Sequence, residues 1–271
     1  MGLRVNTNVA ALTAQRNLFS VSSRLNGNYS RLSSGLRIAT AADDAAGLGI
    51  SERMRSQIRS FGAAARNTQD GISLVQTAEG ALNEVSNLLT RGRELAVQSA
   101  NGTLSQEDRD TIQVEFAAIK LEIERIADDT AFNGVQLLDN TTSLSIQVGI
   151  NSGETVAIAA VDTQGSALGL TALTLASQTG ANTALAALDT AIGSVNTARG
   201  SLGASQNRLQ SSLSSTLNAR ENLSAAESRI RDVDIAAETT DLTRNSILQQ
   251  AATSVLSQAN VQPQIALSLL G

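Results

Sequence analysis

The sequence predicts a mainly α-helical fold: a long antiparallel, coiled-coil-like helical rod with a small β-hairpin insertion and paired N- and C-terminal helices. The 271-residue chain has a single proline, Pro263, so nothing must break a helix before it. Large apolar residues recur every three or four positions in both halves, whereas a central stretch alternates with period two. Because the N-terminal half can bury its apolar stripe only against the C-terminal half, we expect the termini to lie together.

Three helices are predicted in the N-terminal half, over residues 4–34, 43–99 and 105–129. Each has apolar residues at helical spacing, with a break near Gly35 between the first two: Leu18, Val21, Leu25, Tyr29, Leu32 and Leu36, then Ile50, Met54, Ile58, Phe61 and Ala65, then Ile112, Phe116, Ile119, Ile123 and Ile126. Asn101 and Gly102 are a stop signal, and Ser105 before acidic residues is a suitable N-cap.

The centre of the chain predicts a β-hairpin. Residues 144–150 and 156–158 alternate apolar with small or polar residues on either side of the Gly-containing turn 151–154. Residues 160–182, rich in Ala, Thr, Gly, Ser and Gln, are expected to form a loop with a further short strand at 170–175.

Two more helices are predicted in the C-terminal half, over 182–230 and 235–268. The first has a seven-residue apolar period that only Thr216 interrupts: Leu188, Val195, Leu202, Leu209, Leu223 and Ile230. The expected domain organisation has three parts: a terminal helical domain of 1–42 and 231–271, a rod domain of 43–139 and 182–230, and an insertion of 140–181.

The composition argues against most kinds of chemistry. The chain has no His and no Cys, so imidazole bases, thiol nucleophiles and the usual zinc sites are excluded, and we expect no enzyme activity, no cofactor and no metal. The acidic pairs 43–44 and 128–129 are interpreted as helix-terminal residues in preference to magnesium ligands. Arg53, Arg55 and Arg59 are assigned to a solvated face or inter-subunit ion pairs in preference to a phosphate site.

Charge and hydropathy bear on the partners. The net charge of −5 argues against nucleic acid, and no apolar run is long enough for a membrane span, so we expect neither partner. The N-terminus lacks the apolar core of a cleaved signal peptide, and these features taken alone predict a cytoplasmic protein.

The two ends predict self-assembly. Segments 1–36 and 235–270 are apolar at regular spacing, and the chain ends in aliphatic residues where termini are normally polar. Such ends suit head-to-tail contact between identical copies, although they could also simply pair within one chain. The residues expected to carry assembly are Leu18, Leu25, Leu32, Leu36, Ile247, Val255, Leu256, Leu267, Leu269 and Leu270.

Motifs at both ends resemble those of bacterial flagellins. SSGLRIATAADDAAGLGISER (33–53) and RNTQDGISLVQTAEGAL (66–82) are similar to the N-terminal signature, which Phe132-Asn-Gly closes. ENLSAAESRIRDVD (221–234), ILQQA (247–251) and LSQAN (256–260) are similar to the C-terminal signature. The resemblance covers about 3–139 and 182–270, and only about forty residues separate the halves, as in a minimal flagellin without large outer domains.

This resemblance implies a structural subunit of the flagellar filament that assembles through its terminal helices, which would form the inner core. It also implies export through the flagellar type III channel without a cleaved signal, and so a secreted, extracellular location in place of the cytoplasmic one. The implied partners are other copies of the chain, an export chaperone, and cap and junction proteins. The Ser- and Thr-rich loops at 140–180 are candidate glycosylation surfaces in this family.

Segment 88–101 is similar to the patch that vertebrate Toll-like receptors recognise in many flagellins. Arg91, Leu95 and Glu115 match the key positions, and a cation, an apolar anchor and an anion suit a binding hot spot. The same face could instead serve only packing between subunits. Gly92 is expected to loosen this helix.

Three alternatives remain open at this point. A hook-filament junction protein shares the end helices, although the C-terminal signature and the short middle favour flagellin. A coiled-coil scaffold or a secretion-system needle component is a second possibility. An enzyme is the third, and the chain lacks any Gly-rich phosphate loop of the P-loop or dinucleotide type.

Overall fold

The computed structural model describes residues 7–139 and 142–268, with side chains described as far as residue 262. The protein is mainly α-helical, as predicted, with long paired helices and two small antiparallel hairpins. The helices are α1 (Val9–Ser34), α2 (Ala45–Ser99), α3 (Gln106–Asp129), α4 (Gln178–Arg231) and α5 (Ile235–Ser268). The strands are β1 (Ala131–Phe132), β2 (Val135–Gln136), β3 (Leu144–Gln147) and β4 (Thr155–Ile158).

The helix ends follow local capping chemistry. The first helix begins at Val9, later than predicted, because the Asn8 side chain accepts a hydrogen bond from the Ala11 amide at 3.0 Å and caps it. It ends at Ser34 and is capped by Gly35, which has a φ of +72°. The predicted cap of α3 is confirmed: Ser105 and Asp108 form a reciprocal capping box.

The predicted central hairpin is confirmed, with β3 and β4 antiparallel and Leu144 opposite Ile158. A second hairpin, β1 with β2, was not predicted. Its turn is Asn133-Gly134, both with positive φ (50° and 79°), as a tight primed turn requires. The expected strand at 170–175 is wrong: this segment forms turns, and Leu170 and Leu175 are buried individually instead of alternating along a strand.

The residues group into two compact units, residues 1–56 with 222–271 and residues 57–221. The second unit contains the main apolar core. The core is formed by helix α3, by the parts of α2 and α4 that belong to this unit, and by the loops and the β3–β4 hairpin between the helices. The predicted heptad positions of α4 in this unit are almost fully buried: Leu188, Val195, Leu202 and Leu209. Thr216, which interrupts the heptads, is also buried, and its hydroxyl donates a hydrogen bond to the Val148 carbonyl at 3.3 Å.

Phe116 of α3 is the largest fully buried side chain of this core, and the packing of its ring depends on a glycine. A Cβ at Gly92 of α2 would lie 3.2 Å from the Phe116 ring, closer than ordinary van der Waals contact. Gly92 therefore lets α3 pack closely against α2, and the helix continues through it to Ser99. The expectation that Gly92 loosens the helix is replaced by this packing role.

Candidate assembly surface

In the unit formed by 1–56 and 222–271, helices α1 and α5 pack against each other antiparallel. Val21 and Leu25 of α1 are buried, at 8% and 6% exposure, as is Ala259 of α5. The Asn8 side-chain amide donates a hydrogen bond to the Ala259 carbonyl at 2.7 Å, although the two residues are 251 positions apart in the sequence. The two ends of the chain are therefore partners within one molecule.

The segment between α1 and α2 and the segment between α4 and α5 are hydrogen-bonded to each other. The Arg37 amide donates to the Arg231 carbonyl at 2.7 Å, and the Val233 amide donates to the Gly35 carbonyl at 3.0 Å. The Arg231 guanidinium donates to the Glu52 carboxylate at 2.6 Å, which lowers the pKa of Glu52. These bonds join the two connecting segments where α1 ends and α5 begins.

The pair leaves large apolar side chains in solvent. Leu12 and Phe19 of α1 are 54% and 78% exposed and lie two turns apart, on the side opposite Val21 and Leu25. The other exposed aliphatic residues of the two helices are Val9, Ile235, Ile247, Leu248, Val255 and Val261. Large apolar side chains exposed in this number favour an interaction with another molecule.

A groove along the seam of α1 and α5 adds to this surface. Its volume is about 340 Å³, and its apolar walls include Val21 from α1 with Leu248 and Val255 from α5. Asn17, Ser20 and Arg24 form its polar edge.

The structure divides the residues that were expected to carry assembly into three groups. Ile247 and Val255 are exposed, at 61% and 59%. Leu25 is buried in the α1–α5 contact, and the half-buried residues are Leu18, Leu32, Leu36 and Leu256. The side chain of Leu267 and all of Leu269 and Leu270 lie outside the described residues. Phe19 and Leu12, which are more than half exposed, were not among the predicted residues, although both are apolar and lie in the first predicted helix.

The second predicted site lies in the unit of residues 57–221, where α2 and α3 pack together. The Arg91 Nε and Nη2 atoms donate to the same Glu115 oxygen at 2.9 and 2.8 Å, and Nη1 donates to Glu94 at 3.1 Å. These carboxylates, Glu115 first, raise the pKa of Arg91. Leu95, in contrast, is only 2% exposed and packs in the core.

Asp43, Asp44 and Arg55, which were considered for ligand binding, have local partners. The Asp43 carboxylate accepts hydrogen bonds from the Thr40 amide and hydroxyl and the Ala39 amide, which lower its pKa. Asp44 accepts from the Gly47 amide, and Arg55 pairs with Glu52 at 3.1 Å. Across residues 7–139 and 142–268, no three acidic side chains are arranged to hold a metal ion. In the same range no helix has an apolar stretch long enough to cross a bilayer.

Three features of the fold define a class of structural proteins that assemble through their ends. They are the long helices, the terminal helices paired within the chain and the apolar faces left in solvent. Comparison with known proteins gives the family. The N-terminal helical region of bacterial flagellins matches residues 5–143, and the C-terminal helical region matches residues 185–270. The chain belongs to the flagellin family and is a structural subunit of the bacterial flagellar filament.

Individual relatives give the same family, and two of them match over nearly the whole chain. A flagellin of Halalkalibacterium halodurans is 49% identical over 98% of this chain and 99% of its own. A flagellar filament 33 kDa core protein of Treponema phagedenis is 44% identical over 98% and 99%. The crystal structure of a Bacillus cereus flagellin is 40% identical and covers 56% of this chain and 88% of its own, with a TM-score of 0.52. The similarity supports a flagellin in preference to a junction protein or a scaffold of another class.

Proposed function

We propose that this flagellin polymerises outside the cell through the outward faces of paired helices α1 and α5, each packing against other copies of the chain. The observation that carries the proposal is the exposure of Phe19, at 78%, on the side of α1 that faces away from α5. Family membership implies a homopolymeric filament. The residues that form the contacts are the new part of the proposal.

The energetics favour a partner on these faces. Fully burying one Phe, Ile or Val side chain contributes roughly 1.5–3 kcal/mol, so a few such residues on each copy supply a substantial driving force. One surface of the chain meeting a different surface of the next copy produces an open helical polymer when the rotation between copies does not close a ring. The groove beside Val21, Leu248 and Val255 is suited to receive apolar side chains of a neighbouring copy.

Different residues then have different roles in this surface. Neighbouring copies are contacted by Phe19, Leu12, Ile247 and Val255. Leu25, in contrast, holds α1 on α5. Leu18, Leu32, Leu36 and Leu256 contribute their exposed edges. The proposal retains Leu267, Leu269 and Leu270 as assembly residues on their sequence alone. The terminal domain of 1–42 and 231–271 is then the inner core, with the rod domain of 43–139 and 182–230 and its 140–181 insertion outside it.

The extracellular location rests on the family and on the composition. The chain has no Cys and one Pro, so export in an unfolded state would be followed by refolding without disulfide formation and with few slow isomerisation steps. The proposed partners are an export chaperone, which would shield the apolar faces of α1 and α5 before assembly, and cap and junction proteins, which would contact the same faces at filament ends. The chain is not proposed to catalyse a reaction.

Recognition by a vertebrate Toll-like receptor is a second proposal, supported by the exposed Arg91–Glu115 pair. These two side chains supply the charged contacts. Because Leu95 is buried, it would support the surface from beneath instead of touching a receptor.

The assembly proposal is tested by changing the exposed apolar residues to serine. Phe19→Ser with Ile247→Ser should keep the helical circular dichroism of the natural chain, because both side chains are in solvent. The same variant should fail to form filaments, as seen by electron microscopy and pelleting after seeding. Val135→Ser in β2 removes another exposed aliphatic residue and should assemble normally. Normal filaments from the double variant would refute the proposal.

A further inference from the structure

The contact between α1 and α5 contains a cluster of polar side chains. Asn28 of α1 and Asn245 of α5 are 2% and 8% exposed. The Asn245 side-chain amide donates to Asn28 Oδ1 at 2.8 Å, and Asn28 Nδ2 donates to Glu238 Oε1. Arg31 Nε donates to the same Glu238 oxygen at 2.8 Å. Two residues of each helix thus form one hydrogen-bonded network across the contact.

The apolar pattern of α5 leaves its alignment on α1 weakly specified. Leu248 and Val255 line the groove beside α1, and Ile247 is exposed on the side away from it, so apolar side chains occur around much of the helix. Ala252 and Ala259 lie seven residues apart on the inward side. A slip of seven residues would therefore exchange one alanine for another and would leave the apolar contact largely intact.

The polar cluster does not tolerate such a slip. Moving α5 by seven residues, about 10 Å along its axis, would place Ala252 opposite Asn28 in place of Asn245. Asn245 would take the place of Glu238, so Glu238 would lose both Asn28 and Arg31. The Asn28 Oδ1 atom, which accepts from Asn245 in the observed register, would face an alanine, and a buried polar group without a partner is strongly unfavourable. A single buried Asn sets the register of helix pairs in the same way, at some cost in stability.

We propose that the network of Asn28, Arg31, Glu238 and Asn245 determines the register of α1 against α5, and with it the positions of the outward residues that assembly uses. The second part rests on the proposed function, since Phe19 and Ile247 sit on different helices. The position of Phe19 relative to Ile247 along the axis of the helix pair therefore follows from the register. Apolar burial supplies the affinity between the helices, and the polar network selects one alignment.

The register is measured by cross-linking between engineered cysteines, which are the only thiols because the natural chain has none. Ala14→Cys with Ala252→Cys reports the observed register, because both positions line one groove. Val21→Cys with Ala259→Cys reports the seven-residue slip, because Ala259 would then take the place of Ala252, which lines the same groove as Val21. Each chain is treated with a short thiol-reactive cross-linker, both in solution and after assembly with an excess of the natural chain, so that cross-links within one chain dominate.

The natural network should give the 14–252 cross-link in preference to the 21–259 cross-link by about tenfold or more, since one unpartnered buried polar group disfavours a register by that factor. Asn28→Leu with Asn245→Leu should remove most of this preference while the helical circular dichroism is retained. The matched control, Asn26→Leu with Asn260→Leu, adds the same apolar groups at exposed positions and should keep the preference.

Retention of the preference in Asn28→Leu with Asn245→Leu would overturn the inference, as would equal yields of the two cross-links with the network intact. Loss of the preference in the Asn26→Leu, Asn260→Leu control would also overturn it. The ratio of cross-links in the soluble chain tests the register alone. A failure of the natural chain to form filaments would contradict the proposed function and leave that ratio as an independent result.

Discussion

Arg91 and Glu115 join helices α2 and α3 through two hydrogen bonds to one carboxylate oxygen, at 2.9 and 2.8 Å, on the exposed surface of the protein. Exposed ion pairs contribute little to stability because water and salt screen them. The pair is therefore better suited to recognition than to holding the two helices together.

Arg91→Ala should leave the Tm of the protein nearly unchanged and should sharply reduce the response of reporter cells that carry the vertebrate receptor. Arg125→Ala is the control, because Arg125 also forms exposed ion pairs, with Glu122 and Asp129, away from the patch. An equal response to both variants, or none to the natural protein, would remove the receptor from the partners of this chain.

Two glycines of α2 should respond in opposite directions to replacement by alanine. Gly80 is exposed with nothing within 4 Å of a Cβ, so Gly80→Ala should stabilise the protein by roughly 0.5–1 kcal/mol through helix propensity. At Gly92 the new Cβ would press on the buried Phe116 ring, so Gly92→Ala should lose that gain and destabilise the protein by about 1 kcal/mol. Chemical denaturation measures both; equal stabilisation would show that the contact with Phe116 adjusts freely.

The capping box of α3 should make part of the stability depend on pH. The hydroxyl and then the amide of Ser105 hold the pKa of Asp108 below its ordinary value of 3.8. A carboxylate whose pKa is lowered on folding contributes stability that is complete above its unfolded pKa and is lost as the pH falls through its folded pKa. Asp108→Asn should therefore flatten the dependence of Tm on pH between about pH 5 and pH 2.

Ser105→Ala removes the serine hydroxyl, which is the other half of the same capping box. It should cost about 1 kcal/mol at neutral pH and less in acid, where Asp108 is protonated in both variants. If the pH profiles of the natural protein, Asp108→Asn and Ser105→Ala coincide, the capping box does not contribute to acid unfolding.

The sequence determines much of the fold through local periodicity. The heptads of α4, the apolar stripe of α3 and the Ser105 cap all appear where they were predicted, because each depends on residues close in the chain. The hairpin at Asn133-Gly134 could have been predicted from the same rules, since Asn-Gly favours the positive φ values found there. Leu170 and Leu175 were misassigned because burial of single apolar residues in a turn carries no period.

The assembly surface was less accessible to sequence reasoning. Apolar spacing predicted the terminal helices α1 and α5, but it could not separate Leu25, which is buried within the chain, from Phe19, which faces solvent. That distinction depends on which side of α1 meets α5. The network of Asn28 and Asn245 decides this alignment through residues 217 positions apart. Contacts at such separation leave no local pattern.

Limited proteolysis with an arginine-specific protease tests most directly whether the faces of α1 and α5 are buried between copies. Arg16 and Arg24 in α1 and Arg244 in α5 are exposed in the single chain, and each offers a cleavage site. The account predicts rapid cleavage at these arginines in monomer and protection of the same sites in filament. Equal cleavage rates at these sites in monomer and filament would contradict it.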